Sequence, residues 1–285
     1  MAKLILSAFS DEHSDSIIEQ CKALNSYGIN YTELRHANAK NVADMTEKEV
    51  KEISNVLCDY NIKVSSIGSP IGKIKLSDDF NEHLFKAERV FETANTLGTK
   101  LIRIFSFYPD INGNLEKNHV FDNLYMLLEL SKKYGVTLCH ENEAKIFGES
   151  PENCIEIFKA FKGEIKCVFD MGNFVLDGFN PLDAFNLLFP YIEYFHIKDA
   201  LYAGAIVPAG KGEAQIKEIL DVYKTKFNKD TFITLEPHLQ TFSGLNALVG
   251  KAFDNPYKYE NQQVAFSDAV SKLKELLWKN LRKII

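Results

Sequence analysis

The sequence predicts a single (β/α)₈ barrel over residues 1–285, and three observations carry that prediction. Short apolar runs alternate with longer amphipathic stretches from one end of the chain to the other, eight times in all. Several runs are almost unbroken, as parallel strands covered on both faces must be. The chain of 285 residues is close to the typical length of this fold, roughly 250 residues, and no second zone of composition marks off another domain. Uninterrupted strand–helix alternation favours a closed barrel over its nearest competitor, an open doubly wound sheet.

The first run, 4–9, looks like the opening of a signal peptide, but it is too short and Asp11 and Glu12 follow at once, so it reads as strand one. A helical stretch then closes at Tyr27 and Gly28, ahead of strand two at 31–35 and strand three at 62–67. Residues 81–97 place Leu84, Phe85, Ala87, Val90, Phe91, Ala94 and Leu97 at helical spacing, with Gly98 as the stop signal. Strand four is 101–105. Val120, Leu124, Leu127, Leu128 and Leu130 mark a helix over 120–134 that ends at Gly135. Strand five covers 136–141, strand six 165–170, strand seven 192–197 and strand eight 231–236. Ser150-Pro151 and Asn180-Pro181 begin the helices that follow strands five and six, with proline in the first turn. Residues 239–258 break the repeat but carry Leu245, Leu248, Val249 and Phe253. They are expected to form an ordered excursion over the barrel mouth, since long loops in compact domains often serve as lids. The basic stretch 272–283 reads as the solvated face of a last helix.

Hydrophobic residues make up 46% and charged residues 25% of the chain, enough apolar surface to exclude disorder. The net charge of −6 argues against nucleic acid as a partner, because neutralising phosphates dominates that binding. No segment has the roughly 18 unbroken apolar residues of a membrane span. The five cysteines (Cys21, Cys58, Cys139, Cys154 and Cys167) are odd in number and form no CxxC pair. Buried free thiols in a reducing, cytoplasmic setting are the expectation.

The chemically distinctive residues gather at the C-terminal ends of the apolar runs, the face on which barrel active sites are built. Strand two carries Glu33 and Arg35, strand five ends at Glu141, strand six at Asp170 and strand eight at Glu236, while strand seven holds His196 followed by Lys198 and Asp199. Each has an ordinary explanation alone. Asp170 could cap the next helix, His196 could be a hydrogen-bonded core histidine, and Lys198 could pair with Asp199. Together, four consecutive strands each deliver a metal-ligating group to one mouth. Carboxylates so close repel one another unless a cation lies between them. Three carboxylates and one imidazole suit Mn²⁺ or Mg²⁺, with Zn²⁺ or Co²⁺ also compatible.

The order of short motifs resembles the xylose-isomerase-like TIM barrel superfamily of sugar phosphate isomerases and epimerases, which includes ketose 3-epimerases and inosose dehydratases. The resemblance runs along the whole chain: SerAlaPheSerAspGlu (7–12), TyrThrGluLeuArg (31–35), GlySerProIleGlyLys (68–73), ArgIlePheSerPheTyr (103–108), HisGluAsn (140–142), PheAspMetGlyAsnPhe (169–174), HisIleLysAsp (196–199), ProAlaGlyLysGlyGlu (208–213) and GluProHisLeu (236–239). It implies that Glu141, Asp170, His196 and Glu236 hold one divalent metal and that Glu141 and Glu236 also carry protons, through an enediolate, on a sugar or sugar phosphate. Asn173 stands where many relatives have a histidine, so a substrate hydrogen bond is retained there but not titration near neutral pH.

Further substrate contacts are expected from Asn173, Lys198, His238, Glu33, Arg103 and Lys73, the last in a glycine-rich loop suited to a phosphate. Arg103 is expected to point into the barrel and pair with Glu33 or Glu141, and His13 and His36 are further candidates for the mouth. The alternatives are a metal-dependent dehydratase of the inosose type, an abasic-site endonuclease, ranked low for want of histidines, and a non-catalytic sugar-binding barrel. Homo-oligomers are common among such relatives, and the sequence does not choose a state.

Overall fold

The computed structural model describes residues 2–239 and 257–278. Most of the expected excursion over 239–258 lies outside the described residues, as does the end of the basic stretch.

Eight strands close a parallel barrel in chain order: β1 (Leu4–Ala8), β2 (Tyr31–Leu34), β3 (Lys63–Ile67), β4 (Leu101–Ile104), β5 (Thr137–Glu141), β6 (Lys166–Asp170), β7 (Ile192–Ile197) and β8 (Thr231–Leu235). Each matches its expected run to within one residue at either end. The seam joins β8 to β1, in register from Leu4 with Thr231 to Ala8 with Leu235. Around the barrel lie α1 (Ile17–Ser26), α2 (Glu47–Asp59), α3 (Phe80–Thr96), α4 (Lys117–Tyr134), α5 (Pro151–Ala160), α6 (Met171–Leu176), α7 (Pro181–Leu188), α8 (Ile216–Lys226) and α9 (Gln262–Trp278). Among the described residues no helix is long and apolar enough to cross a membrane.

Local chemistry fixes the helix ends. Ser150 and Asn180 cap α5 and α7 with proline in the first turn, and Thr46 and Glu49 form a reciprocal capping box on α2. Gly135 ends α4 in the left-handed region, at φ 60°. Phe85 departs from expectation and is 69% exposed. The buried stripe of α3 runs through His83, Ala87, Val90, Phe91 and Ala94. Phe85 lies two positions from both His83 and Ala87, on the opposite side of a helix with 3.6 residues per turn.

Inside the barrel, side chains alternate with the period of two that strands impose. One layer packs Cys139, Val168 and Tyr194 against Leu101 and Phe232. Two residues along the same strands, the next layer holds Arg103, Glu141, Asp170 and His196. Two ribbons without a counterpart in the sequence reading follow β2 and β7 at the mouth: 36–37 pairs with 40–41, and 199–200 with 206–207.

Candidate metal centre

Glu141 and Asp170 end β5 and β6, His196 is the penultimate residue of β7, and Glu236 follows β8. All four are buried, and one donor atom from each lies within 4.8 Å of the others. Strand geometry thus gathers the expected set at one point.

His196 is held from both sides. Its Nε2 donates to Glu33 Oε2 at 3.1 Å, and Glu33 Oε1 accepts the Tyr194 hydroxyl at 2.9 Å. This turns Nδ1 toward Glu141 Oε1 at 2.8 Å and Glu236 Oε2 at 3.0 Å. A carboxylate behind a histidine is the usual way to fix a ligating ring. Burial disfavours the imidazolium, but Glu141, Glu33 and Glu236 outweigh it and hold His196 well above its ordinary pKa.

Asp170 both caps a helix and joins the cluster. Its Oδ1 accepts the Asn173 backbone N–H at 2.8 Å, which caps α6, and its Oδ2 accepts from Lys198 Nζ at 2.8 Å. Burial pushes its carboxyl up to about 7, with Glu236 and Glu141 adding to the rise against the pull of Lys198. Burial also works against ionisation of Glu236, but Lys198, His238 and His196 overcome it and hold that carboxyl well below the usual range.

These residues fit a cation. Glu236 Oε2 and Glu141 Oε2 are buried and accept no well-aligned hydrogen bond, their nearest partners being ion-pair contacts at 3.0 Å (His196 Nδ1) and 3.2 Å (Arg103 Nη1), so each keeps lone-pair capacity that a cation can take up. The donor set of three carboxylates and one imidazole is that of a hard to borderline divalent ion.

Lys198 does not pair with Asp199. Its ammonium lies between Asp170 Oδ2, Asn173 Oδ1 at 3.0 Å and Glu236 Oε2 at 3.5 Å. Gly172 makes this possible, because a Cβ there would sit 2.6 Å from Lys198 Cγ. Asp199 instead accepts the backbone N–H groups of Ala200, Gly210, Gly212 and Ala214, which pins the GlyLysGly turn.

Asn173 is engaged on both sides, its Nδ2 donating to Asn142 O at 2.9 Å while its Oδ1 accepts from Lys198. Arg103 points inward as expected, with Nη1 3.2 Å from Glu141 Oε2. Lys73 lies over the Phe105 ring and pairs with Glu143 Oε2 at 2.9 Å. In its loop, the Gly72 N–H is taken by His83 Nε2 at 2.8 Å. His238 lies at the mouth, with Nε2 3.2 Å from Glu236 Oε1, and burial lowers its pKa to about 4. His36 contacts Asp11, whereas the His13 ring packs edge-on against Phe266 in α9.

The sequence reading missed what surrounds Arg35. Its guanidinium donates to both oxygens of Asp11, at 2.8 and 3.2 Å, and to Glu236 Oε1 at 3.1 Å, with Glu12 Oε1 at 3.5 Å. The signal was present: Asp11 and Glu12 lie three and four residues beyond one strand and Arg35 directly follows its neighbour in the barrel.

A 3-dehydroshikimate dehydratase of Bacillus anthracis is 22% identical over 175 residues, 60% of this chain and 62% of that protein. The match thus spans less than two thirds of that relative's length. The crystal structure of the probable 3-DHS dehydratase AsbF of Bacillus anthracis superposes with a TM-score of 0.69 at 20% identity, covering 95% of this chain and 98% of that one. A D-psicose 3-epimerase with D-tagatose from Clostridium cellulolyticum H10 gives 0.72 at 13% identity, over 95% and 97%. The IOLI protein with a binding zinc atom gives 0.71 at 15%, over 97% and 99%. The xylose isomerase-like TIM barrel family matches residues 21–248, most of the chain. With the closed eight-stranded barrel this match agrees: the chain belongs to the xylose isomerase-like TIM barrel family.

Proposed function

We propose that this protein is a metal-dependent isomerase or epimerase that acts on a small sugar or sugar phosphate through an enediolate. One observation carries the reading: Glu141 and Glu236, from strands separated around the barrel by β6 and β7, each bring an oxygen within 3.0 Å of His196 Nδ1. Two carboxylates thus approach one point from different sides, as removal and return of a proton on opposite faces of a carbon requires.

Glu141, Asp170, His196 and Glu236 would hold one divalent ion, Mn²⁺ or Mg²⁺ foremost, which when bound supplies a Lewis acid that polarises the substrate carbonyl. The likeness in fold to the IOLI protein, solved with a zinc atom, is consistent with a metal-binding barrel. Glu236, held ionised by Lys198 and His196, takes the proton from the carbon beside the carbonyl. Glu141 returns one from the other side, and Arg103 beside it offsets the charge that develops. To Lys198, His238, Asn173 and Lys73 we assign contacts with a polyhydroxylated substrate, while Glu33 acts from behind His196.

A second reading is dehydration, which begins with the same proton removal and then expels a hydroxyl. It is favoured by the Bacillus anthracis relative, which matches in sequence and in fold. The test is incubation of Mn²⁺-loaded protein with ketoses, ketose phosphates and cyclic hydroxyketones in D₂O. Deuterium at the carbon next to the carbonyl with no loss of water supports isomerisation or epimerisation, and a new conjugated carbonyl absorbance supports dehydration. Absence of both across the panel, with metal bound, defeats the reading.

A further inference from the structure

The two glutamates are oriented alike, each with one oxygen toward His196 Nδ1 and the other toward a guanidinium. Glu141 Oε1 is 2.8 Å from Nδ1 and its Oε2 is 3.2 Å from Arg103 Nη1. Glu236 Oε2 is 3.0 Å from Nδ1 and its Oε1 is 3.1 Å from Arg35 Nη1. The two arginines belong to different parts of the barrel, one in β4 and the other just after β2. Both nevertheless lie against one ring, that of Phe9, with their guanidinium carbons 4.2 Å (Arg35) and 5.1 Å (Arg103) from its centroid. The His196 ring meets the same phenyl group edge to face at 5.1 Å.

Each guanidinium is also held from behind. Arg35 grips both oxygens of Asp11. Arg103 donates to the Gly68 and Ser69 carbonyls at 3.1 and 3.4 Å. Gly68 is where these parts meet, since a Cβ there would lie 2.5 Å from Phe9 Cε1 and 3.2 Å from Arg35 Cβ. Phe9, Arg35 and Arg103 are all buried. A guanidinium suits this role because it is planar, weakly hydrated and able to stack while it hydrogen-bonds in its own plane.

We propose that Phe9, Arg35 and Arg103 form one positioning clamp, in which a shared ring fixes two guanidiniums and these fix which oxygen of Glu141 and of Glu236 faces His196. The clamp rests on the reading of both glutamates as metal ligands. Plain ion pairing would need only the charges. A clamp needs the fork and the ring, and that difference can be tested.

Arg35→Lys and Arg103→Lys keep each charge and lose the planar fork, while Phe9→Leu keeps both charges and removes the ring they share, leaving Arg103 against Phe105 alone, with that ring's centroid 5.0 Å from its guanidinium carbon. Mn²⁺ binding is followed by electron paramagnetic resonance on variants whose folding is checked by thermal melts. Each variant is expected to bind Mn²⁺ about 10-fold more weakly and to change the spectrum of the bound ion, as loss of a group that orients a ligand does. Where substrate exchange is measurable, kcat falls while KM stays within about threefold, because orientation rather than binding is lost. The pair Phe9→Leu with Arg35→Lys is expected to cost little more than either change alone. Should Phe9→Leu fail to fold, Asp11→Asn loosens Arg35 without touching the ring and must weaken Mn²⁺ binding in the same sense. Native Mn²⁺ affinity and spectrum in folded Arg35→Lys and Arg103→Lys proteins overturn the clamp and leave the functional reading intact. Mn²⁺ binding by the native protein with no deuterium exchange defeats the functional reading, while weakened binding in the variants still upholds the clamp. Failure of the native protein to bind Mn²⁺ overturns both.

Discussion

Along β5, β6 and β7, Cys139, Val168 and Tyr194 form one layer of the barrel interior, and two residues later Glu141, Asp170 and His196 form the next. Both layers are excluded from water to the same degree, none of the six being more than 1% exposed. The consequences are opposite. Burial keeps the Cys139 thiol and the Tyr194 hydroxyl neutral by pushing their pKa values far up, so the lower layer behaves as apolar packing, stabilising by roughly 25 cal/mol per Å² removed from water. In the upper layer the same dehydration sets carboxylates against one another, and Arg35, Arg103, Lys198 and His196 are needed to hold them. The lower layer has the composition of packing and the upper that of a candidate site, a division that barrels make routinely.

Neutralising one carboxylate of the cluster above the packing layer tests that division most severely. Glu236→Gln is expected to slow deuterium exchange by at least about 10³-fold, the scale of a lost general base. It should also remove the rise in thermal stability expected of the native protein with Mn²⁺, about 2.7 kcal/mol at 100 times Kd. Full exchange by this variant would take Glu236 out of proton transfer. One layer down, Val168→Ala is expected to cost about 2 kcal/mol in denaturant melts with exchange preserved. The reverse pattern, lost activity at native stability, would break the comparison.

Tyr194→Phe sharpens it, because this side chain spans both layers. Its ring packs below while its hydroxyl donates to Glu33 Oε1. Losing that bond to a buried carboxylate is expected to cost about 1–3 kcal/mol and to slow exchange a few-fold, whereas an unchanged rate would confine Tyr194 to packing. The smallest effect concerns pH. Burial pushes the Glu12 carboxyl up to about 8, with Glu236 and Asp11 adding to the rise and Arg35 opposing it. The folded state therefore keeps a proton that the unfolded chain releases near its ordinary value of 4.5. Stability from this group falls as pH rises across that interval and is lowest above it. Metal-free Glu12→Gln should gain on the native protein in thermal melts between about pH 5 and pH 8, and a constant difference across that range would count against the raised pKa.

The barrel strands were legible because each is a short apolar run, and the four converging residues because they interrupt those runs at the end where strands open onto the mouth. Asp170 was ambiguous in sequence between cap and ligand, and in the structure one oxygen caps α6 while the other faces Lys198 within the cluster. Lys198 beside Asp199 suggested a pair, but the lysine turns to Asp170 and the aspartate to loop amides, partners without a local signature. Arg35 and Glu236 lie 201 positions apart, so their contact is set by barrel closure and by no periodicity. The role of Phe9 was hidden for the same reason: an apolar residue next to a strand looks like core until the two guanidiniums are seen against it.

The seam between β8 and β1 bears on how the protein comes to be active. Glu236 follows the last strand, and its Arg35 support belongs to the second. During synthesis, therefore, the cluster stays incomplete until nearly the whole barrel has been made. Contacts so distant along the chain form slowly, because loop closure must precede any gain from them. On the proposed reading, acquisition of a metal by a refolding chain would then report the final step of closure, since a half-formed barrel leaves the four side chains apart.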